Sequence, residues 1–282
     1  MFKNRPQPPR SIQPDPYRLL EQFKRRHPPQ RLELDGAKWT YWDLGRGAQT
    51  LVFLHGMAGS GDVWFQQLLR FARHYRVVAP TYPPLEPLDR LVAGVWALLD
   101  HLDVDKAQFV GSSLGGLVVQ YMASSHPERV ERAVFSNTFP PGHPEIRRTR
   151  WLMPLARGLP TRVLFGLMKR SLRLNRAALE AGDRLLQAYL LDQYDGGMTR
   201  AQLLARAACV LGDFELEPPT MPHAIIESLD EPLLSRNVRS DLKRLYPRAW
   251  VHTFRKGGHF PYLTQAEEYN RVLMTFLDAS YV

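Results

Sequence analysis

Ser113, Asp230 and His259 are the residues of this chain whose types and settings fit nucleophilic catalysis. Ser113 is the centre of Gly111-Ser112-Ser113-Leu114-Gly115, a G-x-S-x-G pattern. The short run Ala107–Val110 before it has strand character, and the apolar run Gly116–Ala123 after it suits a buried helix. A strand, a sharp turn and a helix present a serine hydroxyl at a helix N-terminus, where N–H groups and the dipole favour developing negative charge. Serine is a weak nucleophile, so it needs a base to take its proton and a carboxylate to fix the base's tautomer. The base expected is His259, in Lys256-Gly257-Gly258-His259-Phe260-Pro261, because His252 falls inside a strand and His74, His101 and His126 at helix ends. The carboxylate expected is Asp230, just after the strand Ala224–Glu227, with Glu227, Glu231 and Asp213 as the neighbouring alternatives. The oxyanion donors expected are the N–H of Leu114 and one N–H from His55–Gly61, for which Met57 is the choice.

The elements that must position these groups alternate. Arg31–Leu34 and Trp39–Leu44 read as a hairpin turning at Asp35-Gly36. Thr50–Leu54 is a continuous apolar run, as a strand buried on both faces should be. Val63–Tyr75 reads as a helix, Arg76–Ala79 as a strand and Leu88–Leu102 as a helix with apolar residues at helical spacing. The strands Val130–Ser136, Ala224–Glu227 and Trp250–Phe254 follow, and Thr264–Leu277 closes as a helix with Thr264 and Glu267 as an expected capping box. Such alternation predicts an α/β fold with a mostly parallel sheet covered by helices on both faces. The rhythm stops at about Thr138 and resumes at about Pro222. The predicted organisation is a basic, proline-rich arm over 1–30, a core over 31–137 and 223–282, and an inserted helical cap over 138–222.

Composition narrows the class. The chain has 282 residues, one cysteine and a net charge of +9. A single cysteine, Cys209, excludes an internal disulfide framework, suits a reducing cytoplasm and reads as packing. The N-terminus has no apolar core of the signal-peptide kind, and no apolar stretch reaches the length of a membrane span. The positive residues are dispersed, with Lys24-Arg25-Arg26 and Arg147-Arg148-Thr149-Arg150 the densest groups, and no nucleic-acid motif accompanies them. They read as a solvated basic surface. No metal or organic cofactor is expected.

From residue 31 onward the chain resembles the α/β-hydrolase superfamily. His55-Gly56 resembles its oxyanion loop, Gly111–Gly115 its nucleophile elbow and Gly257–Pro261 its histidine loop. Within the superfamily it looks most like maspardin-type proteins, on Tyr75–Ala79, Leu98–Leu102, Trp151–Pro154, Leu245–Pro247 and Gly257–Leu263. The resemblance implies a serine hydrolase of ester, thioester or related acyl bonds acting through Ser113, Asp230 and His259. A serine at 113 argues against the aspartate-nucleophile branches, dehalogenases and epoxide hydrolases. Two features set limits. The loop Thr81-Tyr82-Pro83-Pro84-Leu85 lacks the glycine-rich pattern common in the superfamily. Maspardin-like proteins also include members that work by binding partners and carry asparagine in place of the histidine, so a protein-interaction scaffold is the competing class. Phe139, Trp151, Met153 and Phe260 are the expected substrate-pocket residues, with packing of the cap on the core the competing role of the first three, and a small acyl compound is the expected partner.

Overall fold

The computed structural model describes residues 16–174 and 184–279. The N-terminal arm before residue 16, and part of the helix expected over Arg176–Tyr194, lie outside the described residues. Eight strands form one sheet in the order β1-β2-β4-β3-β5-β6-β7-β8. They are β1 (Gln30–Leu34), β2 (Ala37–Leu44), β3 (Thr50–Leu54), β4 (Arg76–Thr81), β5 (Ala107–Ser112), β6 (Val130–Ser136), β7 (His223–Ser228) and β8 (Trp250–Phe254). The β1–β2 hairpin is antiparallel and β2 pairs antiparallel with β4, while β3 to β8 run parallel to one another.

Side chains alternate across a strand, and here each alternate set feeds a different core. Val52, Leu54, Val78, Phe109, Phe135 and Ile225 point to one face, under α3 (Leu88–His101), α4 (Leu114–Ser125) and α10 (Arg236–Leu245). Leu51, Phe53, Val77, Val110, Val134 and Ile226 point to the other, under α1 (Pro16–Arg26), α2 (Phe65–Phe71) and α12 (Ala266–Asp278). Both faces are therefore buried, which explains the continuous apolar runs of the central strands.

Two local expectations are corrected. The helix expected over Val63–Tyr75 is a 3₁₀ turn at Gly61–Trp64 followed by the shorter α2. The capping box at Thr264 does not form: α11 (Pro261–Thr264) and α12 are separate, and Gln265 precedes α12. The Thr264 hydroxyl instead donates to the carbonyls of Gly257, at 2.8 Å, and Phe260, at 3.2 Å. It serves the histidine loop rather than the helix behind it. The helix α10 between β7 and β8 was not anticipated; its N-cap Ser235 accepts from the Val238 N–H at 3.2 Å.

Between β6 and β7 the described residues form helices joined by loops, with no strand among them: α5 (Pro144–Arg147), α6 (Leu152–Gly158), α7 (Thr161–Leu174), α8 (Arg184–Asp192), a π-turn at Gln193–Gly197 and α9 (Arg200–Val210). A capping box, Thr199 with Gln202, starts α9. Leu164 and Phe165 of α7, Met198, and Leu203 of α9 form a third apolar cluster, and Met57 packs against it from the core.

Candidate active site

Ser113 holds φ 54° and ψ −118°, a conformation that ordinary residues avoid. Keeping a residue in such a region costs on the order of 1–3 kcal/mol, so its surroundings must impose it. They do so from both sides. The Ser113 N–H donates to the Ser136 carbonyl at 3.0 Å. Its carbonyl accepts from the Thr138 hydroxyl at 2.7 Å and from the Leu117 N–H at 3.1 Å. Only glycine fits beside it. A Cβ on Gly111 would lie 2.1 Å from the Gly115 carbonyl oxygen, and one on Gly115 would lie 2.0 Å from that of Leu54. Ser113 thus stands at the head of α4, partly accessible among buried neighbours. Leu114 is the first residue of that helix, where the backbone N–H has no intrahelical acceptor.

The loop after β3 lies against the serine: a Cβ on Gly56 would be 3.2 Å from Ser113 Cβ and 3.8 Å from its Oγ. The Gly56 carbonyl accepts from the Gly59 N–H at 3.2 Å, which makes Met57 and Ala58 the half-buried corner of a tight turn. His55 fixes the same peptide. The Tyr82 N–H donates to His55 Nε2 at 3.1 Å, so the proton resides on Nδ1, which donates to the Gly56 carbonyl at 2.7 Å. Burial first, and the nearby Arg206 charge second, push the His55 imidazole well below its ordinary range and keep it neutral, with its bond to Gly56 opposing them. Tying the Gly56 carbonyl back leaves the Met57 N–H of that peptide pointing the other way.

Sequence reasoning missed Arg206. It lies on α9, three residues after Leu203 and three before Cys209, and all three are buried. A cation within an apolar stripe was the signal. Its Nη1 donates to the carbonyls of Met57, at 3.2 Å, and Gly59, at 2.8 Å, and its Nη2 to that of Tyr82, at 3.0 Å. Cys209 packs nearby as a thiol donating to the Leu85 carbonyl, with burial pushing its pKa up to about 12, so it is no nucleophile.

The histidine half corrects one assignment. His259 Nδ1 faces Glu231 Oε2 at 2.8 Å, and both side chains are buried, at 4% and 0% exposure. Asp230 does not meet the imidazole. Its carboxylate accepts the N–H of Gly257, at 3.0 Å, and of Gly258, at 2.9 Å. The physical reason is reach: the residue directly after the turn is spent on the backbone of the facing loop, and the next one, a methylene longer, extends to the ring. The other Glu231 oxygen accepts from Leu233 at 2.7 Å and Leu234 at 3.3 Å. Burial alone would push Glu231 up, but the His259 ring and the two backbone N–H groups outweigh it and hold the carboxyl below its ordinary value. An ionised Glu231 requires the proton on Nδ1 and leaves Nε2 of His259 with a lone pair.

Two adjacent residues tie the halves together. Thr138 holds the Ser113 carbonyl, while Asn137 Nδ2 donates to the Gly258 carbonyl at 2.9 Å. Asn137 Oδ1 also accepts from the Ser228 N–H at 3.0 Å. The loops after β5, β6, β7 and β8 are thereby stitched along one edge of the sheet, the C-terminal edge where open α/β sheets place their sites.

The four expected pocket residues separate. Phe260 presents its ring edge-on to His259, with centroids 5.1 Å apart. Phe139 is packed in the core beside α4, and Met153 is half-buried on α6. Trp151 is 68% exposed, so it neither fills a pocket wall nor packs the insertion onto the sheet. Among the described residues no group of three or more His, Cys, Asp or Glu side chains is arranged to hold a metal ion. No helix of the described residues is long and apolar enough to cross a membrane.

This sheet, elbow and insertion constitute the α/β-hydrolase fold. The family model for that fold matches residues 49–161. In sequence the chain is maspardin-like: it is 28% identical to human maspardin over 250 residues, covering 84% of this chain and 78% of the relative. Zebrafish maspardin is 26% identical over 257 residues, 86% of this chain and 79% of the relative. A protein of Serratia proteamaculans described as the carbamate hydrolase RutD is 28% identical over 82% of this chain and 91% of its own. Solved structures share the fold at lower identity. A hydrolase from Pseudomonas aeruginosa PA01 has a TM-score of 0.75 and 22% identity, covering 89% of this chain and 99% of that one. An enol-lactonase from Burkholderia xenovorans LB400 has a TM-score of 0.75 and 19% identity over 89% of this chain. The chain has the α/β-hydrolase fold and is maspardin-like in sequence.

Proposed function

We propose that the protein is a serine hydrolase of ester, thioester or related acyl bonds, with Ser113, His259 and Glu231 as its triad. The observation that carries the reading is that one dipeptide, Asn137-Thr138, ties a strained serine at a helix head to the loop of a buried imidazole whose Nδ1 faces a depressed carboxyl. In the reaction, Nε2 of His259 takes the Ser113 proton as Oγ attacks the carbonyl carbon. Glu231 holds the Nδ1–H tautomer and offsets the charge of the imidazolium. The N–H groups of Leu114 and Met57 stabilise the oxyanion. The imidazolium then returns its proton to the leaving group, and the acyl-enzyme formed on Ser113 is resolved by water that His259 deprotonates in turn. Asp230 positions the histidine loop through the Gly257 and Gly258 N–H groups.

The helical insertion acts in this reading as a cap. Its apolar cluster of Leu164, Phe165, Met198 and Leu203 meets Met57 of the proposed oxyanion loop and is the natural wall for an acyl chain. RutD's description as a carbamate hydrolase and the lactonase neighbour are consistent with acyl-bond chemistry and leave the substrate open. A fluorophosphonate probe tests the reading: it should label the wild type and fail to label folded Ser113→Ala.

A second reading is an interaction scaffold, favoured by similarity to maspardins and by the exposure of Trp151 at 68%, Leu155 at 59% and Leu167 at 50% on the insertion. Absence of both labelling and ester turnover in the folded wild type would select it.

A further inference from the structure

We infer that Arg206 is a positioning residue for acyl transfer: carried by the insertion, it sets the oxyanion loop, so a working oxyanion hole requires α9 to be seated on the core. This rests on the serine-hydrolase reading above.

The loop is held between two clamps of opposite origin. From the core, His55 binds the Gly56 carbonyl and receives the Tyr82 N–H. From the insertion, Arg206 binds the next carbonyl along, Met57, then Gly59, and finally the carbonyl of Tyr82. Gln202, one turn earlier on α9, adds a second donor to Tyr82 at 3.0 Å. Both ends of the Tyr82 backbone are therefore engaged, one by each clamp. The peptide before Met57 is tied by His55 and the peptide after it by Arg206. The Met57 N–H belongs to the first of these peptides, and the Arg206 tie on the second fixes the Met57 backbone angles that orient it.

Packing alone does not explain this residue. Arg206 is 1% exposed, and its Nε finds no hydrogen-bond partner among the described residues. No carboxylate pairs with it among those residues; its neighbours are Tyr82, Tyr189 and Cys209. A buried unpaired cation is costly, and a well-packed apolar side chain in its place is often neutral or stabilising. What a cation supplies here, and a methionine would not, is fixed carbonyl geometry plus an uncancelled positive field beside the atoms where negative charge develops. Burial lowers its pKa only to about 10, so the guanidinium stays charged at neutral pH.

The experiment compares wild type, Arg206→Met and Arg206→Lys on p-nitrophenyl esters. It also compares inhibition by an aryl trifluoromethyl ketone, which forms an oxyanion adduct with the serine, and by the parent methyl ketone, which does not. Misaiming a catalytic group by about 1 Å costs on the order of 100-fold. Arg206→Met should therefore lose kcat/KM and trifluoromethyl-ketone affinity by a common factor of about 10- to 100-fold, with methyl-ketone affinity held within about threefold. Arg206→Lys, which keeps the charge and reaches fewer carbonyls, should recover part of both and decides the matter if Arg206→Met does not fold. The inference is overturned if the variants turn over like wild type, or if both ketones weaken equally, as a purely structural role requires. A folded wild type that neither turns over esters nor binds the trifluoromethyl ketone overturns the hydrolase reading and this inference with it.

Discussion

The serine half and the histidine half of the site are built by different physics. Around Ser113 the determinant is backbone space. Gly111 and Gly115 stand where a Cβ would fall 2.0–2.1 Å from a carbonyl oxygen, and Gly56 abuts the serine itself. Exclusion of that kind selects one residue type. Around His259 the determinant is side-chain reach. Asp230 and Glu231 are adjacent and chemically alike, yet one takes two backbone N–H groups and the other takes the imidazole. Steric identity therefore shows in the letters of a sequence, whereas reach depends on the direction in which a turn leaves its strand.

That contrast accounts for what the sequence disclosed. The parallel sheet, the elbow and the histidine loop followed from apolar runs and glycine spacing. Choosing between Asp230 and Glu231 required the path of the turn after β7, anchored by the Leu229 N–H on the Phe254 carbonyl at 2.9 Å. Thr264 was misread for a related reason: its spacing to Glu267 suits a cap, but its hydroxyl is taken by the histidine loop. Trp151 reads as a pocket wall because it is an apolar residue of the insertion, but composition does not say which side of a helix faces the core, and it faces solvent.

The contrast can be broken by substitution. The largest effect is expected for Ser113→Ala, which should lower ester turnover by at least about 10³-fold at unchanged melting temperature, as loss of a triad nucleophile does. Retention of a tenth of the activity would remove Ser113 from the chemistry.

Next comes the acidic pair. Glu231→Gln should reduce kcat by about 10²- to 10⁴-fold, because an amide no longer enforces the reactive tautomer. Asp230→Asn should cost far less turnover and show mainly as lost stability, about 1–3 kcal/mol for two weakened backbone bonds. Steady-state rates and thermal melts on the two variants suffice. The reverse ranking would return the catalytic carboxylate to Asp230.

A smaller effect concerns acidity. His55 is held neutral in the fold, well below its ordinary value of 6.5, while the unfolded chain protonates near that value. The unfolded state then binds more protons, so this contribution is complete above about pH 6.5 and is lost as pH falls toward the folded value. Glu231, depressed from its ordinary 4.5, adds loss in the same direction below about pH 4.5. Urea titrations at pH 7.5 and 5.5 should show lower stability at the acid value, with a reduced difference in His55→Asn. An equal difference in that variant would show that other groups carry the dependence.

The smallest effect is on selectivity. Phe165→Ala should shift the ratio of rates along an acyl-length series, since a methylene in an apolar pocket is worth roughly 1–3 kcal/mol of discrimination. Trp151→Ala, at an exposed position, should leave both that profile and the melting temperature unchanged. A chain-length change with Trp151→Ala alone would move the acyl site to the outer face of the insertion.

The most direct measurement is peptide-level mass spectrometry of the protein after a fluorophosphonate, with the labelling rate followed in wild type, Glu231→Gln and Asp230→Asn. The account predicts a single adduct on Ser113, formed far more slowly in Glu231→Gln and at close to the wild-type rate in Asp230→Asn. Folded wild-type protein that carries no adduct, or carries it on another residue, would contradict it.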